Sequence, residues 1–358
     1  MFLKVSRFGR LLSFCSLFAL TPACSVHKLT GEVMSEYTNQ HLRPYLLSRH
    51  DLDMACELGV SMGSFILSFE QFWPELEDSD RRPVELASIP TLATAALCAE
   101  EEATEAALSS LRALRFAGGS EGELRIAFSQ RAQDARIVQK RAHARAARRY
   151  YESFQRSERL FQESCPEDEG EQLGLLFGLI SGLQALQHDR ASGVQVGVPE
   201  DVPRQVERRS SCLDDAQWWG VPGAIRAAVW TLIPGSAPEG TDPWAALEAA
   251  SARGAEAGIR IAGSISIHAA HAQGPAQRAR LVTLLNQFQE SREARPAPAK
   301  WRLLDELAAR LVELLSDRIW TEARGHRTPR DSFGSLPSAE GEDEAEESAE
   351  EDDLFDDL

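Results

Sequence analysis

Apolar residues recur at spacings of three and four along almost the whole chain, and strict alternation over four or more residues is nearly absent. That pattern predicts helices over about 35–48, 51–73, 84–117, 122–163, 171–190, 200–213, 221–233, 243–273, 275–294 and 299–324. The breaks between them fall on helix breakers: Gly118 and Gly119, Pro166, Gly197 and Pro199, Pro234 and Gly235, Gly274 and Pro275, and Pro296 and Pro298. Asp242 before Pro243 is a start signal, a capping side chain followed by proline at the first helical position. The expected fold class is all-α: irregular helical hairpins packed around one central helix.

Two of these helices depart from an ordinary amphipathic pattern. In 171–190, Gly174, Gly178 and Gly182 continue a four-residue spacing from Gly170, and leucine, isoleucine and phenylalanine fill most other positions between 173 and 183. Each glycine costs a helix about 1 kcal/mol relative to alanine. A near-continuous glycine stripe therefore predicts a compensating close approach by a neighbour, or a groove for a small apolar ligand. A helix apolar on nearly every side is buried, so this is the expected centre of the core. The helix at 122–163 is the reverse: ten bases, from Arg125 to Arg159, face five acids, Glu123, Asp134, Glu152, Glu158 and Glu163. Its expected partners are the acids Glu100, Glu101, Glu102 and Glu105 on the preceding helix. The alternatives are the acidic C-terminal tail and anionic lipid headgroups.

Charge changes the picture at the two ends. The net charge of −17 is concentrated in 340–358, which holds twelve acids and no base. The stretch 24–339 carries only −8, with no overall basic field for nucleic acid. The first ten residues carry Lys4, Arg7 and Arg10, followed by an apolar run over 11–20 and then Thr21, Pro22, Ala23 and Cys24. This is the layout of a secretory signal peptide, too short to span a bilayer. The expected organisation is a signal over 1–23, a helical domain over 24–328 and a disordered acidic tail over 329–358. Cys24 directly after Ala23 resembles the lipidated cysteine of bacterial lipoproteins. The sequence therefore points to a protein tethered by lipid to the periplasmic side of the outer membrane, with simple cleavage to a soluble periplasmic form as the alternative.

Four further cysteines, Cys56, Cys98, Cys165 and Cys212, form an even set in an oxidising compartment and are candidates for two disulfides in any of three pairings. No catalytic or metal motif accompanies them. His268 and His271 share a helix face without a carboxylate at ligand spacing, and no GxSxG, phosphate-binding loop or dinucleotide fingerprint is present. No catalytic residue, metal or cofactor is expected, and an enzyme is the least favoured class. The most distinctive passage, 196–244, holds four of the seven tryptophans. Trp218, Trp219 and Trp230 are, with Gly174, Gly178 and Gly182, the candidate residues for lining a ligand or partner surface.

Several stretches together resemble the T-component (TatT) lipoproteins of TRAP transporters: the Cys24 start, DLDMAC at 51–56, DARIVQK at 134–140, GLQAL at 182–186, the GVP, CLD, WWGVP and APEG words between 197 and 240, and GHRTP at 325–329. The resemblance spans nearly the whole chain after Cys24 except the acidic tail. It implies TPR-like helix pairs and an accessory role beside a periplasmic solute-binding protein of a TRAP-type uptake system. No TPR consensus recurs at a fixed period of about 34 residues. The expected partners are thus the membrane, through the anchor, and a solute-binding protein. Carriage of a small apolar ligand is the alternative, and a homo-oligomer is compatible with the chain.

Overall fold

A computed structural model describes residues 33, 36–68, 78–330 and 332–337, with only the backbone of 78–80. The signal over 1–23, Cys24 and the acids after 339 lie outside the described residues. Within them the fold is all-α and no residue is in a strand. A π-helical turn at Thr38–Leu42 leads into α1 (Arg43–Leu47), followed by α2 (Leu52–Ser68), α3 (Asp78–Gly118), α4 (Gly122–Leu160), α5 (Glu169–Ser192), α6 (Val202–Ser210), α7 (Val221–Leu232), α8 (Pro243–Ala257), α9 (Ile261–Ala272), α10 (Arg278–Ala294) and α11 (Arg302–Arg324). None of these helices is long and apolar enough to cross a membrane.

The frame is the hairpin of α3 and α4, 41 and 39 residues long, hence each about 60 Å at 1.5 Å per residue. Its seam is alanine. Ala96, Ala99, Ala103, Ala113 and Ala117 of α3 and Ala132, Ala142 and Ala146 of α4 are all buried. Small side chains let the two backbones approach closely, so the pair closes with few large residues. On one flank α2 packs on α3. There Gly59 leaves no room for a Cβ, which would stand 2.6 Å from the backbone nitrogen of Ala95, and Cys56 is bonded to Cys98. On the other side α5 lies against α4 and α3, and Cys165 is bonded to Cys212 across the base. The smaller helices α7, α8 and α9 pack on one another, and α11 returns to lie along α3 and α9.

Two expectations need correction. The single helix over 243–273 is two, because Gly258 ends α8 at φ +72°, and the Gly258 and Ile259 amides donate to the Ala255 and Gly254 carbonyls. The chain then reverses on Arg260, whose buried guanidinium donates to Asp305 at 2.6 Å, to the Ser291 hydroxyl at 3.0 Å and to the Gly258 carbonyl at 3.3 Å. A capping glycine followed by a bonded arginine overrides a helical apolar pattern. The second correction is the end of the folded body. A tail from 329 was expected, but the chain stays docked to Pro337: Phe333 and Leu336 pack on the core, Trp320 donates to the Ser335 carbonyl at 3.4 Å, and Arg278 donates to the Pro337 carbonyl. Helix α3 also starts at Asp78, ahead of the expected 84, and carries Pro83 and Pro90. The Thr94 hydroxyl donates to the Pro90 carbonyl, and the Ser153 hydroxyl from α4 to that of Ile89.

Candidate functional site

The glycine stripe of α5 is a packing surface. A Cβ at Gly174 would meet Leu86 at 2.6 Å, one at Gly178 would overlap the Ser157 side chain, and one at Gly182 would lie 2.8 Å from Phe154 and 2.9 Å from Val206. Neighbouring side chains therefore occupy the space that the glycines vacate, which is the compensation that their helix cost requires. Asp168 caps the helix, accepting from the Gly170 amide at 2.8 Å and the Glu171 amide at 3.2 Å.

Trp218 and Trp219 are also interior. Trp218 is 1% exposed and donates its indole N–H to Gln172 at 2.9 Å. Both meet Trp301, which the sequence did not single out, edge to face at 6.2 and 5.0 Å. Trp219 sits at φ +53° beside Gly220 at φ +79°, and a side chain on Gly220 would press on the backbone of Ala250. Trp230 stands apart on α7, donating to Glu207 at 3.2 Å. The tryptophan passage thus builds the joint between α5, α7 and α11. The GVP word before it has a similar explanation: the amides of Val196, Gly197 and Val198 donate to the buried Asp189 carboxylate at 2.8, 2.9 and 2.8 Å.

Two arrangements remain as sites. The first is a polar cluster inside the hairpin base. Tyr150 donates to Glu100 at 2.7 Å, the His188 Nε2 lies 3.4 Å from the same carboxylate, and the Nδ1 atoms of His143 and His188 face each other at 2.8 Å. Two facing ring nitrogens share one proton, so the imidazoles cannot both carry a proton there. Burial alone pushes Glu100 up. The charge and hydrogen bond of His188, the Tyr150 hydroxyl and the charge of His268 outweigh it, and the carboxyl sits below its ordinary value. Burial, reinforced by His188, lowers His143 to about 4; burial lowers His268 to about 4 as well, and its Nε2 has no hydrogen-bond partner among the described residues. Burial and the Glu100 charge hold the Tyr150 phenol well above its ordinary value. The crevice beside Glu100, lined by Leu52, Cys56, Leu97 and Arg310 among others, is no larger than a water molecule. No metal-holding set of histidines, cysteines and carboxylates is found among the described residues. The cluster can pass a proton within itself.

The second arrangement is the outward face of the first half of α4. Between Glu121 and Arg141 only Ala132 is buried. Leu124 and Ile126 are 64% exposed, and Ile137 and Val138 are exposed too, as is Phe116, which stacks on Phe128 at 5.4 Å. Arg125 and Arg136, and likewise Ile126 and Ile137, are eleven residues apart, about three helical turns. Each arginine directly precedes an isoleucine, so the basic row lies a little over a quarter-turn from the apolar row, towards the side of Ala132, and Lys140 falls between the two rows. The isoleucine row lies opposite the helix side that carries Ala132 and Ala142. The acids expected to pair with this helix mostly point elsewhere. Glu101 binds Arg310 at 2.9 Å and Glu105 binds Arg327 at 2.5 Å, both across to the C-terminal part of the chain, and Glu100 is in the polar cluster. Of the four, Glu102 alone forms an ion pair with a base of that helix among the described residues, at Arg145. Arg125, Arg131, Arg136, Lys140 and Arg141 have no carboxylate partner among the described residues. The sequence signal for this face was the excess of bases in 122–163; what it could not supply was the alanine seam that leaves the large apolar residues outside.

No protein-family model matches the chain, and neither a curated protein nor a solved structure matches it.

Proposed function

We propose that the protein is a membrane-tethered periplasmic interaction protein of the T-component type, which captures a solute-binding protein on the exposed face of α4. The observation that carries this reading is that stretch of α4: exposed isoleucines and, a little over a quarter-turn round the helix, cations without a carboxylate partner among the described residues, on a two-helix support. Exposed apolar residues rimmed by charge mark protein contacts. The words shared with TatT lipoproteins and the all-helical body support the same reading. The anchor on Cys24 would hold this face in the periplasm, where solute-binding proteins circulate. Carriage of an apolar ligand along the glycine stripe would need the space that Leu86, Phe154, Ser157 and Val206 fill.

The test is a pull-down from the organism's own periplasmic extract, using the exported, processed protein and a variant with Ile126→Ser and Ile137→Ser. A solute-binding protein recovered with the first and reduced at least tenfold with the second is the expected result. Recovery of none, in cells that express one, removes the partner assignment. Equal recovery with both moves the contact off this face.

A further inference from the structure

We infer that the acidic C-terminal segment 340–358 docks in cis on the basic and apolar face of α4, so that a partner must displace it. The competition with a partner rests on the preceding proposal; the docking does not.

Three observations point to this occupant. The first is charge. The face presents Arg125, Arg136 and Lys140, with no carboxylate partner among the described residues, and the segment carries twelve acids without a base. A second copy packed on this face through its own α4 would bring the same cations against it, and like charges in contact are repelled. The second is the apolar match. Leu354, Phe355 and Leu358 interrupt the acids and supply apolar partners for Ile126 and Ile137, which a purely charged tail would lack.

The third is reach. The described body ends at Pro337, and the Ser335 carbonyl touches Trp320. One helical turn from Trp320, the Ala323 carbonyl accepts from Arg115 at 2.9 Å, close to the α3–α4 turn. The exit point is thus a few side-chain lengths from the distal part of the hairpin. The 21 residues after it span up to about 70 Å when extended. Tethering at that length gives an effective concentration in the millimolar range, so even a weak contact is substantially occupied. An anionic membrane would satisfy the cations too, and the vesicle arm of the experiment separates that source.

The experiment compares the processed full chain with one ending at Pro337, by hydrogen exchange read over 122–141. In low salt, exchange there should be several-fold slower in the full chain. That difference should vanish in 0.5 M salt, where the screening length is only a few ångströms, and in a full chain carrying Arg125→Glu, Arg136→Glu and Lys140→Glu. Identical exchange in both chains at low salt overturns the proposal. So does equal binding of both chains to phosphatidylglycerol vesicles with loss on charge reversal, which would assign the face to the membrane. Slowed exchange without capture of any solute-binding protein leaves the docking standing and sinks the partner reading. Capture that is the same with and without the segment, and no exchange difference, does the reverse.

Discussion

The two halves of the α3–α4 hairpin are built from the same seam and finished differently. At the base, between about residues 85 and 108 on α3 and 142 and 160 on α4, much of the outward surface is covered: by α2 with its disulfide, by the glycine stripe of α5, and by α11. Several of its charges are paired or buried in a network, as with Glu100, Tyr150 and His188. In the distal half the alanine seam continues through Ala113, Ala117 and Ala132, yet the outer face of α4 carries exposed isoleucines and unpaired cations. An alanine seam makes a stable support without using large apolar residues. Where those residues occur on the far side, they serve another contact. Stability and recognition are therefore separable along one pair of helices, and substitutions should show it.

The largest effect belongs to the base. Gly178→Val places a branched side chain where Ser157 already sits. Overpacking of a filled interior costs about 3 kcal/mol or more when the neighbour is held by a helix backbone, and the loss should appear as a lower denaturant midpoint with an unchanged slope. Pairing a milder Gly178→Ala with Ser157→Gly returns room and should recover most of the loss that Gly178→Ala alone causes. A Gly178→Val protein as stable as the parent would mean that α5 does not seat against α4 as described.

The second effect is pH dependence confined to the base. His143 and His268 titrate at about 4 in the folded chain, against about 6.5 when unfolded. The unfolded state therefore binds more protons as the solution becomes acid. The stability from keeping them neutral is fully present above about pH 6.5 and is lost as pH falls towards 4, on the order of 2–3 kcal/mol for each. Glu100, held below its ordinary value, adds loss in the same direction at lower pH. The groups facing His143 are His188, Glu100 and Arg318, and those facing His268 are Glu100 and His271. Thermal melts between pH 7.5 and 4.5 should fall steeply for the parent and less steeply for His143→Gln. A flat profile in the parent would contradict the buried, neutral histidines.

Much of this difference was legible in the sequence, and the limits are instructive. The helical spacing gave the elements, and breakers placed most of their ends; the Gly258 reversal escaped because its stabilisation comes from Arg260 and Asp305, forty-five residues apart. The glycine stripe announced close packing, but whether a neighbour or a ligand filled it depended on Leu86, Phe154 and Ser157, on other helices. The tryptophans drew attention by their rarity, although Trp218 and Trp219 are joined to Trp301 as core. The Glu100, His143, His188 and Tyr150 cluster had no local signature, since its members lie on three helices. The excess of bases in 122–163 did mark the exposed face. What remained hidden was that Glu101 and Glu105 turn to Arg310 and Arg327 and leave it unpaired.

The smallest effect on stability is expected at the distal face, and it separates the two halves most sharply. Ile126 and Ile137 are 64% and 48% exposed, so replacing both with serine removes little buried area and no hydrogen bond. Such surface changes fall within about ±0.5 kcal/mol, and the denaturant midpoint should scarcely move. The same double variant should lose partner capture, because those side chains form the apolar row beside the unpaired cations. If the variant instead unfolds with the base, the isoleucines are packed in solution against something the described residues do not include. The segment 340–358 is the first candidate, and deleting it from the parent should then lower the midpoint by the same amount. A midpoint unchanged by either substitution or deletion, with capture lost only on substitution, would fix the face as a recognition surface that contributes nothing to holding the fold.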